Sequence, residues 1–389
     1  MRFLWIATKP PWPPVDGGRL VLLHTLRALA DRGHEIELIA PVDEPVSVGA
    51  AEALKPVCRA TLVPISRRPA AIDFALARLV GEAWTVRRHR HGALRRAAEA
   101  RAAAVAFDAV VAEQLQAVAH LPGPSGAPGP ARILRAQNVE SELWRGAAAL
   151  SGWRAPLLRG EARRLEAAEG RAARAVDATA ALTARDAEIL RRFAGARARV
   201  EVLPAPFPGQ AASAPPLSGA PAVVLFASGG WAPNEDAARW FLSEVWPRVL
   251  AGRSEARLHV FGGSVREGCG LEWHPAPEDS AAAFAADSIF AVPLRVGSGV
   301  RMKILEAWAR GVPVIASAAG AAGLEGENTR ELLIADGAAD MADGILRLAG
   351  DAALRGRLVK SAAEALERRH DPGRTAAAWE DLVESLRER

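Results

Sequence analysis

Apolar residues fall into short unbroken runs separated by longer stretches with helical spacing. The first run, Arg2-Phe3-Leu4-Trp5-Ile6-Ala7, is apolar on both faces and predicts a fully buried strand. Residues 18–32 then place Leu22, Leu26 and Leu29 along one helical face, and Gly33 supplies a stop. Glu35-Ile36-Glu37-Leu38-Ile39-Ala40 predicts a second strand, completing a strand-helix-strand unit of the kind that opens a doubly wound parallel sheet. Further strands are expected at 60–63, 109–112, 132–135 and 178–182, with Ala/Arg/Leu-rich helices between them.

Around Pro204 the composition shifts to Pro, Ala, Ser and Gly, and this continues to Pro221, as an interdomain linker requires. The alternation then restarts. Strands are expected at 223–226, 258–261, 289–292 and 313–316, and helices at 236–250 and 300–310. A chain of 389 residues also exceeds what one hydrophobic core usually serves. The predicted fold class is therefore α/β, with two Rossmann-like doubly wound parallel-sheet domains facing a cleft. Residues 1–205 form the first, 206–221 the linker and 222–372 the second, and a terminal helix at 373–389 packs back on the first.

Composition narrows the function classes. Half of the residues are apolar and about a quarter charged, which excludes disordered and fibrous chains. Only Cys58 and Cys269 occur, without disulfide or zinc spacing, and no His/Cys cluster or Asp-x-Asp motif is visible, so no metal site is expected. The apolar start is too short for a signal sequence, and no stretch reaches the roughly 18–20 apolar residues of a spanning helix. A cytoplasmic location is expected. The net charge of +4 favours anionic partners, namely nucleotide diphosphates or acidic lipids. Nucleic acid is disfavoured because no recognition motif accompanies the charge.

The stretch richest in candidate chemistry runs Pro293-Leu294-Arg295-Val296-Gly297-Ser298-Gly299-Val300-Arg301-Met302-Lys303-Ile304-Leu305-Glu306-Ala307, between a predicted strand and a helix. Backbone amides of Gly297, Ser298, Gly299 and Val300 at a helix start suit a phosphate. Cations at Arg301 and Lys303 in the first helical turn oppose the helix dipole, which a bound diphosphate would explain. Glu306 is one turn on, placed to accept hydrogen bonds from ribose hydroxyls. A plain turn with a solvated basic face is the alternative. Gly17 and Gly18, between the first strand and helix, are candidates for close approach to phosphate or acceptor. Gly262 and Gly263 after 258–261 leave room for a nucleotide or form a simple turn. Asn234 is a candidate helix cap.

Gly-Ser-Gly-x-Arg-x-Lys-x-Leu-Glu-Ala at 297–307, followed by Gly311-Val312-Pro313-Val314-Ile315-Ala316-Ser317, resembles retaining family 4 glycosyltransferases, in particular a bacterial surface-polysaccharide subgroup. Three further segments are similar to that family in the same order: Pro13-Pro14-Val15-Asp16-Gly17-Gly18-Arg19, Gln137-Asn138-Val139-Glu140-Ser141 and Trp231-Ala232-Pro233-Asn234-Glu235-Asp236-Ala237. The resemblance implies a GT-B fold, an N-terminal acceptor domain, and a C-terminal domain binding a nucleoside-diphosphate sugar (UDP-, GDP- or ADP-sugar) as co-substrate. It implies no metal and no other cofactor. By the same resemblance Gln137, Arg301 and Lys303 take catalytic roles, while Gly229 joins the glycines above around the donor. The acceptor is then a sugar, a lipid-linked molecule or another small molecule.

The sequence departs from that family at three places. Ser298 stands where many members carry the first of two glutamates, with Glu306 matching the second. Ser228-Gly229-Gly230 replaces an Arg and Lys pair, whose charge Arg301 and Lys303 would supply instead. Gln137 stands where the subgroup usually has histidine, and an amide hydrogen-bonds without titrating. A nucleotide-sugar 2-epimerase and a non-catalytic sugar-nucleotide-binding protein remain as alternatives. An NAD-dependent oxidoreductase ranks below them, since no Gly-x-Gly-x-x-Gly and no suitably placed acidic residue follow the first strand. Finally, residues 67–101 combine Phe74, Leu76, Leu79, Val80 and Trp84 with Arg87, Arg88, Arg90, Arg95 and Arg96. That mixture predicts either peripheral contact with an anionic membrane, at its inner face, or a solvated helix face.

Overall fold

The computed structural model describes residues 1–43, 48–123, 129–227, 232–263, 267–277, 280–324, 326 and 328–388. The chain divides into two compact units. The first comprises Met1–Arg145, Pro156–Pro206 and Pro372–Arg389, and the second Gly146–Ala155 and Phe207–Asp371.

In the first unit the strands are β1 (Arg2–Ile6), β2 (Glu35–Asp43), β3 (Arg59–Ile65), β4 (Ala109–Glu113), β5 (Ala131–Ala136), β6 (Ala178–Ala181) and β7 (Val200–Val202). They form one parallel sheet in the order β3-β2-β1-β4-β5-β6-β7. In the second unit β8 (Ala222–Phe226), β9 (Arg257–Phe261), β10 (Leu271–His274), β11 (Ser288–Val292), β12 (Val314–Ala316) and β13 (Leu333–Ile334) form another, ordered β10-β9-β8-β11-β12-β13. Each sheet is a doubly wound α/β layer in which the order reverses beside the first strand.

The strands missed by sequence reading are β7, β10 and β13, all short and at or next to a sheet edge. Two to four residues carry too little periodicity to be read, so pairing with a neighbour decides their state. The helix expected over 236–250 is interrupted. It runs as Ala232–Trp240, a π-turn at Phe241–Val245 and Trp246–Gly252. Pro247 lies inside it and has no N–H for the preceding turn, and a change of helical register absorbs that lost bond. The expected linker is no free tether, because Ala211 N donates to Ala309 O (2.8 Å) and Ala214 bridges Ala285 within the second unit.

Burial follows the strand pattern. Phe3, Trp5, Leu22, Leu26, Leu38, Val111 and Ile133 make the first core, and helix Pro372–Arg387 inserts Trp379, Leu382 and Val383 into it. The rings of Trp5 and Trp379 lie 5.1 Å apart. Arg32 fixes the same helix from outside through two 2.6 Å bonds to Glu380, and with His34 it holds that carboxyl down at about 2. The second core gathers Val223, Leu225, Val260, Ile289, Phe241, Trp246 and Ile345.

Because Trp379 is fully buried against Trp5, Trp379→Ala is expected to cost about 3–5 kcal/mol of stability. Urea unfolding followed by circular dichroism measures it, and a loss below about 1 kcal/mol would show that this helix contributes little to the core.

Candidate functional site

Parallel strands carry their loops to one edge, and where strand order reverses, neighbouring loops part to leave a crevice. In the second unit that point lies between β8 and β11. Gly229, with Ser228, Gly230 and Trp231, follows β8 and lies outside the described residues. The loop after β11 contains Gly297, Ser298 and Gly299, of which Gly299 adopts φ +76°, a left-handed conformation open to glycine. Ser298 is buried. At Gly297 any Cβ would overlap Arg301 Nη2, so the missing side chain is what lets the guanidinium lie on this loop.

Arg301 occupies the N-cap position of helix Met302–Ala309, one residue before the expected first turn, and its side chain does not cap the helix. The guanidinium thus lies on the loop that leads into the helix, while Ile304 N of the first turn already donates to Arg301 O at 2.8 Å. Lys303 is directed elsewhere than expected. Its Nζ sits 5.0 Å over the Phe226 ring and 3.2 Å from Glu306 Oε2. The Glu306 carboxylate also accepts from Ser280 Oγ at 2.9 and 2.8 Å, with Arg310 Nη2 3.7 Å away. A ribose diol at Glu306 would have to share or replace the Ser280 hydroxyl.

Gly262 and Gly263 have φ +78° and +75°, and a Cβ on Gly263 would overlap Ala227 O where the exits of β8 and β9 pass closely. Gly262 N donates to His274 O (2.9 Å) and Gly262 O accepts from Trp273 Nε1 (3.1 Å). Both backbone groups of Gly262 are thus engaged by β10, and its left-handed φ is what calls for glycine there.

In the first unit the reversal lies between β1 and β4. Asp16 caps helix Gly17–Asp31 through Arg19 N and holds Lys9 Nζ at 2.8 and 2.7 Å. Gln137, just after β5, is buried and fully engaged. It donates to Glu113 Oε1 (2.6 Å) and Gly18 O (3.1 Å) and accepts from Gln114 Nε2 (3.0 Å), whose Oε1 takes the Thr8 hydroxyl (2.7 Å). A Cβ on Gly18 would come within 2.8 Å of Gln137 Oε1, so Gly18 is where the helix start makes room for that amide. Behind it Glu113 accepts from Trp5 Nε1 (2.6 Å) and faces Arg135 Nη1 at 3.6 Å. Arg135 is fully buried, 5.9 Å from the ring centres of both Trp5 and Trp379.

Sequence reading did not find Glu113, Gln114, Lys9, Ser280 or Arg310. Glu113 and Gln114 end a strand at the reversal point, which is a signal once strand order is known. Gln114 has φ +72°, a strained conformation for a side chain of its size. The expectation of no metal-ligand cluster also needs correction, since His259, Glu272 and His274 bring their ligand atoms within 4.8 Å of one another. The signal was hidden because β10 was not read as a strand.

Comparison with known proteins agrees with this geometry. Residues 221–351 match the family described as glycosyl transferases group 1. No curated protein sequence matches the chain significantly. Among solved structures the chain resembles sucrose-phosphate synthase from Thermosynechococcus elongatus, with TM-score 0.70, 15% identity and 99% of each chain covered. It also resembles TarM, with TM-score 0.71, 9% identity and 98% and 99% covered. HepE from Anabaena, solved with UDP-glucose, gives TM-score 0.66 at 13% identity over 99% and 100%. The chain has the GT-B fold, and its second unit carries the segment that matches the group 1 glycosyl transferase family model.

One carboxyl behind the first edge is poised to titrate. Glu169, on helix Ala155–Arg174, is buried under the start of helix Glu140–Ala149 and accepts Glu140 N at 2.6 Å. Burial first, and then the neighbouring Glu140 carboxylate, push it from 4.5 to about 8. The folded state therefore binds this proton more tightly than the unfolded chain, so its contribution is fullest below 4.5 and is lost as pH rises through about 8. Urea midpoints at pH 5 and pH 8.5 should fall more in the native protein than in Glu169→Gln. Parallel losses in the two would contradict the shift.

Proposed function

We propose that the chain is a retaining glycosyltransferase. It transfers a sugar from a nucleoside-diphosphate sugar to an acceptor hydroxyl in polysaccharide or glycoconjugate assembly, without a metal or other cofactor in the reaction. The observation that carries this reading is the Gly297–Gly299 loop with Arg301 laid on it, at the strand-order reversal of the unit that matches the group 1 family. Amides of Gly297, Ser298, Gly299 and Val300 would hold the diphosphate, with Gly229 and Gly262 nearby and Glu306 taking the ribose. The UDP-glucose bound by HepE supports a sugar nucleotide of this type.

As the bond from anomeric carbon to phosphate breaks, negative charge grows on the leaving diphosphate. Fixed amides and the Arg301 guanidinium stabilise that charge more than the ground state. Lys303, held beside Glu306, adds to the positive field. A leaving phosphate oxygen takes the acceptor proton, which is consistent with retention and needs no side-chain base. Gln137, with Gly17 and Gly18, belongs to the acceptor side. Its two donated bonds make it a fixed polar surface rather than a proton carrier.

Thermal-shift titration with UDP-, GDP- and ADP-sugars identifies the donor, since a ligand bound only by the folded state raises its stability. Charge-assisted bonds contribute about 1.5–3 kcal/mol each. Arg301→Ala combined with Lys303→Ala should therefore weaken donor affinity by more than about tenfold. Unchanged affinity would refute the diphosphate role. NMR of the product reports the anomeric configuration, and formation of a 2-epimer instead of a glycoside would turn the reading to an epimerase.

A peripheral membrane role, serving a lipid-linked acceptor, rests on a separate observation. A cavity of about 370 Å³ in the first unit is lined by Ser66, Arg68, Arg87, Arg88, Arg90 and His91 among others. Helix Ala70–Leu79 exposes Leu79 at 81% and, just beyond its end, Val80 at 57%. Basic groups beside exposed apolar side chains suit an anionic lipid surface. Among the described residues no helix is long and apolar enough to cross a membrane. Co-sedimentation with vesicles should increase with anionic lipid and fall in Leu79→Ser/Arg88→Ser, whereas binding independent of lipid charge would exclude this role.

A further inference from the structure

The second unit contains a cluster that the transfer reaction does not use. β9 and β10 pair in parallel with Glu272 opposite His259 and His274 opposite Phe261. Side chains two apart on a strand share a face, so Glu272 and His274 both stand beside His259. Their ligand atoms lie within 4.8 Å of one another. Backbone pairing sets this convergence, with no long loop to order.

The hydrogen bonds define which atoms are available. His259 is fully buried and its Nε2 is 2.9 Å from Ser218 O, an acceptor, so Nε2 carries the ring proton. The Nδ1 lone pair therefore points the other way. It faces His274 Nε2 at 3.0 Å and Glu272 Oε2 at 3.6 Å. Donation of the outer imidazole N–H to a carbonyl is the support that metal-bound histidines commonly have. Glu272 is held from its other side by the Ser218 hydroxyl.

We propose that His259 Nδ1, His274 Nε2 and a Glu272 carboxylate oxygen form a binding site for one divalent first-row transition ion. Two histidines and one carboxylate suit such an ion better than calcium or magnesium, which prefer all-oxygen sets. Ring nitrogens 3.0 Å apart, each about 2.0–2.1 Å from an ion, subtend close to a right angle there. The three groups then occupy one face of the ion and leave other positions to water. Without the ion, His274 Nε2–H donates to His259 Nδ1. On binding, His274 moves that proton to Nδ1 and the ion takes its place, with no net charge change on the two rings.

Access is from the sheet edge. β10 is the outermost strand and Glu272 and His274 are partly exposed, so an ion reaches the site without opening the core. Such an ion would tie together the segment before β8 at Ser218, the inner strand β9 and the edge strand β10. Phe226, Phe261 and His274 lie in one row, with ring centres 5.7 and 4.4 Å apart. Lys303 sits over the far end of it. The site is thus two rings away from the Lys303–Glu306 pair and independent of the donor reading.

The test uses Co²⁺ and Zn²⁺ on tag-free, chelator-treated full-length protein. Expected are one equivalent bound by isothermal titration, a Co²⁺ visible absorption band, and affinity reduced at least about tenfold in Glu272→Gln and in His274→Ala. Both variants keep the buried His259 and are checked for native circular dichroism. His91→Ala controls for the other imidazole pair, His91 and His120, and should leave binding unchanged. Absence of saturable binding, or binding that survives both variants, would overturn the site.

Discussion

Parallel strands cannot be joined by tight turns, and this constraint organises both units. Every connection must cross a face of the sheet, so the central strands are buried on both sides and the loops after the strands emerge at the same edge. The order of strands then determines where that edge opens. In each unit it opens beside the first strand, next to Gly18 in one sheet and Gly297–Gly299 in the other. The groups proposed to bind substrate lie at these two places, where adjacent loops leave in opposite directions.

The two edges are built differently. In the second unit the principal elements are backbone: a left-handed glycine, a helix start and one guanidinium admitted by a missing Cβ. In the first they are side chains locked in a chain of bonds from Thr8 through Gln114 and Gln137 to Glu113. A surface of amides can wrap a diphosphate whatever sugar follows it. A fixed side-chain network, by contrast, presents a definite pattern of donors and acceptors, which is what discrimination among hydroxyl-bearing acceptors needs.

The sequence made the α/β class legible because central strands such as β1, β4 and β11 are largely apolar runs separated by stretches of helical spacing. It did not reveal β10, whose Glu272 and His274 look like surface residues until pairing with β9 is known. The glycine loop at 297–299 was visible from composition alone. The directions of Arg301 and Lys303 were not, because two residues of like charge and adjacent spacing turn to different partners, one to a glycine face and the other to Glu306 and Phe226. Glu113 was hidden for a related reason. Its importance comes from Arg135 and Trp5, which are close only after the sheet has formed.

Gln137 shows how such hidden partners decide what a position can do. Arg135 is buried completely, and a buried cation is tolerated only with a matched anion, which Glu113 supplies. Glu113 also accepts the indole N–H of Trp5 at Oε2, and its other oxygen is left to an N–H donor. A primary amide fills that position, and its second N–H reaches Gly18 O as well. An imidazole would offer one N–H while neutral and would gain the second only by becoming charged. A glutamine amide keeps one hydrogen-bond pattern at this position through neutral pH, because it does not titrate there. A neutral amide here thus fits the buried Glu113–Arg135 pair, and the network fixes the geometry of this edge without a proton having to be exchanged.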